Sequence, residues 1–153
     1  MGLDLDAVRS GFPQAVPMVA TLNMQFADLS MTRAVMVLPD QQPYHNHVGG
    51  PHAGAMFTLA ESASGALVLA NFGDRLADAT PLAVEATIRY LKLAMGAVTA
   101  TATMDRPGTE ILAELDGGAR PEFTITIDLA TDDGTLTGQM TIVWTLKPNR
   151  KRD

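Results

Sequence analysis

Residues 44–72 read YHNHVGGPHAGAMFTLAESASGALVLANF, and the reading of this stretch decides how the rest of the chain folds. Its first part holds every histidine of the protein (His45, His47 and His52), together with Asn46 and a Gly49-Gly50-Pro51 turn. Glycine and proline propagate neither a helix nor a central strand, so this part reads as a loop that leads into a helix start. Its second part, residues 53–72, is built mostly from Ala, Leu, Met, Phe, Val, Gly and Ser, with one charge, Glu61. A helix that is apolar nearly all the way round belongs in the middle of a soluble fold. A carboxylate in that position is costly unless it is paired, hydrogen-bonded or neutralised. Glu61 is therefore the most informative residue of the chain.

Upstream, residues 3–10 (LDLDAVRS) suit a short helix ended by Gly11 and Pro13. Residues 14–29 are ambiguous, with apolar positions interrupted by Pro17 and Asn23, and Met31 to Leu38 (MTRAVMVL) is the first long strand, stopped by Pro39. Gly73 suits a left-handed position just past the end of the buried helix. Beyond Pro81 the pattern changes to period two, with Leu82, Val84, Ala86, Ile88 and Tyr90 on one face and Glu85, Thr87 and Arg89 on the other. Residues 97–104 alternate as well, 109–118 (TEILAELDGG) read as a short helix, and 122–130 and 136–147 as two strands flanking an Asp132-Asp133-Gly134 turn. Strands joined by tight turns pair antiparallel. The expected class is α+β, one long buried helix wrapped by an antiparallel sheet.

A length of 153 residues suits one domain, with residues 1–29 as an N-terminal extension and 147–153 as a basic tail. A net charge of −6 argues against a phosphate-backbone partner, so no nucleic acid is expected. Without cysteine there is no thiol nucleophile or thiolate metal site, which is compatible with a reducing cytoplasm. The first ten residues lack the basic-then-apolar order of a signal peptide. Residues 53–72 approach the length of a membrane span, but Glu61 at mid-span among Ser, Gly and Thr favours a buried soluble helix and no membrane.

The segment from Asn46 to Glu61, with Gly-Gly-Pro-His-Ala-Gly between, resembles the PaaI-like branch of the hotdog-fold acyl-CoA thioesterases. In that branch an Asn precedes a His-Gly-Gly at a helix start, and an Asp or Glu follows inside the helix. Here His52 and Glu61 stand at matching distances from Asn46, and AVEATIRYLKLA resembles the strand after the helix. Two positions depart from the pattern: Ala53 replaces the first glycine, and Ala83 stands where a Ser or Thr often assists. The resemblance implies a hotdog fold, a long central helix wrapped by a curled antiparallel β-sheet. It further implies a thioester hydrolase acting on an acyl-CoA or acyl-carrier thioester, with no cofactor beyond the coenzyme A of its substrate. Asn46, Ala53, Gly54 and Glu61 would be catalytic, and Gly50, His52, Arg89 and Lys92 would contact substrate.

The chemistry of these residue types supports such a site. The first N–H groups of a helix lack internal partners and sit at the positive end of its dipole, so Ala53 and Gly54 offer an oxyanion site. Glu61, made more basic by burial, can attack or activate water, and Asn46 can hold that water or the thioester oxygen. Ala53 and Glu61 lie about 12 Å apart along a helix at roughly 1.5 Å per residue, so one chain cannot bring both to one carbonyl. Two copies about a two-fold axis can, which implies a homodimer with composite sites; a tetramer stays open. Plainer readings stand beside these: Glu61 as a carboxylate hydrogen-bonded to the loop, His52 as a helix-start residue, and Asn46 as a turn residue tying the loop together. Arg89, Lys92 and Arg106 suit coenzyme A phosphates or a solvated strand face equally. The three histidines invite a zinc reading, but no second shell is evident and no metal is expected. A non-catalytic acyl-thioester binding protein and a hotdog dehydratase are the alternative functions.

Overall fold

The architecture was analysed in a computed structural model that describes residues 3–150. Its centre is α3 (Ala53–Phe72), with Leu59, Ala63, Ala66 and Leu67 fully buried. The helix packs on β2 (Arg33–Leu38), β4 (Val98–Met104) and β5 (Glu122–Thr131). Ala60, Ala63 and Ala66 of the helix and Ala100 and Ala102 of β4 all have 0% exposure. Small side chains on both surfaces let helix and sheet approach closely, while Met36, Ile125, Ile127, Leu129, Met140 and Ile142 fill the rest of the core. The sheet has six strands in the order β1-β2-β4-β5-β6-β3, every pair antiparallel, and it is open at β1 (Gln25–Leu29) and β3 (Ala79–Tyr90). This is the helix-in-sheet arrangement expected from the hotdog resemblance.

The β5–β6 hairpin turns on Gly134 at φ 82° and leads into β6 (Leu136–Pro148), as the Asp-Asp-Gly sequence indicates. The short helix α4 (Gly108–Asp116) also forms, burying Ile111 and Leu115. Residues 147 and 148 belong to β6, while 151–153 of the expected basic tail lie outside the described residues.

Several expectations are corrected. Helix α1 (Leu5–Ala15) does not stop at Gly11 or Pro13 but runs through both, capped at its start by Asp4, whose carboxylate accepts from the N–H groups of Asp6 and Ala7. Proline costs a helix one hydrogen bond, yet the burial of Phe12 at 2% exposure against α3 holds this last turn in place. The ambiguous stretch 14–29 resolves into α2 (Pro17–Thr21) and the edge strand β1, separated by Asn23 at φ 53°. Gly73 is right-handed, at φ −62°, because the chain continues into a 3-10 turn over Gly73–Arg75 rather than reversing. Arg75 fixes that turn by ion pairs to Asp78 at 2.7 Å and Asp116 at 2.5 Å.

Sequence neighbours are not always sheet neighbours. β3 pairs only with β6, so it lies at the far edge from β2 and β4. A bulge at Val84 breaks its alternation: Ala83 pairs with Trp144 and Glu85 with Val143. Leu82, opposite Thr145, therefore faces away from the side that Ala86 and Ile88 share with Ile142 and Met140. One buried polar link crosses the core, Trp144 Nε1 donating to Ser64 Oγ at 3.1 Å, and Ser64 Oγ in turn donates to the Glu61 carbonyl at 2.7 Å.

Leu67 is at the helix–sheet contact with no exposed surface. Leu67→Ala should lower unfolding free energy by about 2–5 kcal/mol. Asp132→Ala in the exposed turn should stay within about 0.5 kcal/mol of wild type. Urea unfolding of both variants checks this contrast.

Candidate functional site

A stripe of residues at helical spacing on α3, Phe57, Glu61, Gly65 and Leu69, is only half-buried while its neighbours are almost fully buried. Positions four apart share one face, so this is the side of the helix that the sheet leaves uncovered. The only carboxylate of the helix lies on it. No hydrogen bond from a protein group reaches the Glu61 carboxylate among the described residues; only its backbone carbonyl is engaged. The plainer reading of Glu61 as a carboxylate tied to the loop thus finds no partner. Burial raises the Glu61 pKa above its ordinary value of 4.5, because desolvation penalises the charged form. Glu61 lines a pocket of about 270 Å³ shared with Phe12, Val16, Gly65, Val68 and Trp144.

The start of α3 is built by the histidine-rich loop. The loop closes on itself: Asn46 N–H donates to the Gly50 carbonyl at 2.8 Å, and His52 N–H to the Tyr44 carbonyl at 2.9 Å. The Asn46 side chain works in the same direction. Its Oδ1 accepts from the N–H groups of Val48 at 3.0 Å and Gly50 at 3.2 Å, and Nδ2 donates to the Pro51 carbonyl at 3.3 Å. The turn-tying role is therefore real, and a primary amide still keeps a second N–H for a ligand. Gly49 sits at φ 81°, and a Cβ on Gly50 would stand 2.3 Å from the Ala94 carbonyl, so the loop rests directly on the β3–β4 connection.

His52 is the N-cap of α3, its Nδ1 accepting the Gly54 N–H at 2.8 Å. The Gly54 amide is thereby taken up within the chain. A Cβ on Gly54 would come within 3.1 Å of His52 Nδ1, so a larger residue there would push on the capping imidazole. Ala53 lines a separate pocket of about 380 Å³ with Asn46, Met56, Tyr90, Lys92 and Leu93. Asn46, Ala53 and Lys92 are thus brought together, whereas His52 and Gly54 open on another cleft beside His45 and Thr58. Arg89 pairs with Gln139 on the exposed face of β3, and Arg106 binds Glu114 and the Glu122 carbonyl beside α4. Glu61 stands apart from all of them, as the spacing along the helix requires.

Tyr90 is a residue the sequence reading placed on a strand face and left without a role. Its hydroxyl donates to the Ala53 carbonyl at 2.9 Å, which clamps the end of β3 to the helix start. Burial raises its pKa, so it remains a donor at neutral pH. Its signal in the sequence was its place at the end of the alternating run, where the strand meets the loop. Phe12 and Trp144, the aromatic walls of the Glu61 pocket, carried no such signal.

The zinc reading receives no support from this arrangement. His45 Nε2 is 2.6 Å from Asp40 Oδ1 and His52 Nδ1 is occupied by Gly54. Among the described residues no three His, Asp or Glu side chains cluster as metal ligands do.

The family model described as "Domain of unknown function (DUF4442)" matches residues 6–146. No curated protein matches the sequence. Among solved structures, a Pseudomonas aeruginosa protein of unknown function described as a probable thioesterase superposes with a TM-score of 0.86 at 24% identity, over 97% of this chain and 99% of that one. A mutant thioesterase from the same organism superposes at 0.76 and 20% identity, over 97% of each chain. A thioesterase family protein from Silicibacter pomeroyi gives 0.74 at 21% identity, over 95% of this chain and 100% of that one. At these identities the similarity establishes the hotdog fold.

Two outcomes follow from the site's geometry. His52→Ala removes a helix cap and should cost about 0.5–2 kcal/mol in urea unfolding. For Glu61 the folded-state pKa lies above the unfolded one, so the folded state binds the proton more tightly. Its contribution to stability is fully present below the ordinary value of 4.5 and falls as pH rises through the raised value. Glu61→Gln should therefore be more stable than wild type at pH 7, with the gap closing below the ordinary value, as read by urea midpoints across that range.

Proposed function

We propose that this chain, which belongs to the family described as "Domain of unknown function (DUF4442)", is a thioester hydrolase that acts on acyl-CoA or acyl-carrier substrates as a homodimer. The observation that carries the reading is Glu61: a half-buried carboxylate with no hydrogen-bond partner among the described residues, on the uncovered face of a core helix, its pKa raised by burial. A protein does not keep such a group in an apolar helix for stability, because desolvating it costs free energy that nothing in the chain returns. A carboxylate of raised basicity is what removal of a proton from water requires.

In the proposed reaction Glu61 accepts a proton from water as the water oxygen bonds to the thioester carbon. The oxyanion is held by the Ala53 N–H at the positive helix start, with the free N–H of Asn46 Nδ2 as a second donor. Collapse of the adduct breaks the C–S bond, and the proton on Glu61 passes to the departing thiolate. Lys92, which lines the Ala53 pocket, would meet a phosphate of the coenzyme. Gly50 holds the loop at the depth where Asn46 and Ala53 share one pocket.

The composite dimer supplies the geometry. β3 is an edge strand of 12 residues, with Leu82, Val84 and Tyr90 exposed at 39%, 49% and 48%. A long apolar edge of this kind invites pairing with a second copy. Antiparallel pairing of two β3 strands about a two-fold axis brings the helix start of one protomer toward Glu61 of the other. The lack of cysteine suits action in a reducing cytoplasm. A second reading, an acyl-thioester binding protein without turnover, is favoured by the engagement of the Gly54 N–H with His52, which removes one of two expected oxyanion donors.

Thiol release from a panel of acyl-CoAs separates the two. Turnover by wild type that falls at least about 100-fold in Glu61→Ala, with the dimer intact, is the expected result. Binding without release supports the second reading. Mixed dimers test the composite site: Glu61→Ala and Asn46→Ala chains, each inactive alone, should regain about a quarter of wild-type activity on co-expression, because half the dimers then carry one intact site. No recovery would place both residues in the site of one chain.

A further inference from the structure

Gly65 is a glycine in the interior of the core helix, the position where glycine is least favoured among ordinary residues. Its backbone does not call for it, since Gly65 is absent from the positive-φ glycines of the described residues. Nor does crowding: a Cβ added there would lie 3.8 Å from Phe12 Cζ and 3.9 Å from Trp144 Cη2 and Cζ2, ordinary contact distances. What the missing side chain leaves is space between two aromatic rings. Glu61 stands one helical turn earlier on the same face and opens on the same space.

We propose that this pocket receives the acyl group of the substrate, and that Gly65 sets its depth so as to select apolar acyl groups of medium size. The inference rests on the thioester reading above and adds the substrate class to it. The pocket measures about 270 Å³, close to the lower end of the roughly 300–1,000 Å³ usual for small-ligand sites. A pocket of that size suits a medium-length straight chain or an arylacetyl group; an acetyl group leaves most of it empty. Among the described residues no cation lines it, so a dicarboxylic acyl group would bury a second negative charge beside Glu61. Two of its walls, Phe12 and Val16, flank the C-terminal end of α1, which makes the N-terminal segment part of the site.

Trp144 is the only tryptophan of the chain and forms a wall of the pocket, so its emission reports occupancy without any turnover. The experiment compares wild type, Gly65→Ala and Gly65→Met, each checked for native circular dichroism. One arm measures kcat/KM on acetyl-, malonyl-, octanoyl- and phenylacetyl-CoA. The other titrates octanamide, a neutral octanoyl group, against Trp144 fluorescence. Wild type should prefer octanoyl or phenylacetyl over acetyl by at least about tenfold, and the two longer substrates distinguish a straight from an aryl group. Gly65→Ala should reduce that ratio and Gly65→Met should bring it close to one. Octanamide should change Trp144 emission in wild type and leave Gly65→Met unaltered. Hydrolysis with the same acyl preference in all three proteins and no Trp144 response would overturn the pocket assignment and leave the hydrolase intact. A Trp144 response lost in Gly65→Met, with no hydrolysis of any thioester, would support the pocket and overturn the hydrolase. Neither response overturns both.

Discussion

The structure depends on the burial of one apolar helix against a curved antiparallel sheet. Each square ångström of apolar surface taken from water is worth about 25 cal/mol, and α3 offers such surface on nearly every side. The sheet satisfies this on the faces carrying Leu59, Ala63 and Leu67, but a sheet has one concave side and a helix has a full circumference. A stripe is left over. Its C-terminal part is shielded by Phe12 of α1 near Gly65, and its middle carries Glu61. The chemistry proposed for this protein sits on the surface of the helix that its own fold leaves uncovered.

Both ends of the helix are held by bonds that cost the site little freedom. At the start, the loop satisfies its own polar groups through Asn46, and Tyr90 fastens the last residue of β3 to the Ala53 carbonyl. His52 takes one of the helix-start amides for itself, so capping and anion binding compete for the same N–H groups. Between the ends, Trp144 reaches across the core to Ser64, positioning one wall of the Glu61 pocket by a bond spanning 80 residues of sequence.

Much of this was legible along the chain. The mostly apolar run of residues 53–72 reads as a buried helix, and Glu61 within it stands out as its one charge. The β5–β6 hairpin was written in Asp132-Asp133-Gly134, α4 in the spacing of Ile111, Leu112 and Leu115, and β2 in an apolar run stopped by Pro39. Local signals misled where packing outweighed them. Pro13 sits inside α1 because Phe12 is anchored in the core, and Gly73 continues the helix path because Arg75 holds the next turn. The Val84 bulge escaped the period-two pattern, since one inserted residue preserves apolar composition while exchanging faces.

Sequence by itself determined the class of fold, the identity of its central helix and the residue types available for chemistry, because hydrophobic periodicity, turn residues and a lone buried charge act over a few positions. Tertiary structure decided which of those residues meet. It carried β3 to the far edge of the sheet, joined Asn46, Ala53, Tyr90 and Lys92 in one pocket, and set Phe12, Gly65 and Trp144 around Glu61 in another. Those encounters join elements far apart along the chain, and no local pattern encodes them: they are fixed by how the whole apolar surface is shared out when helix and sheet close together.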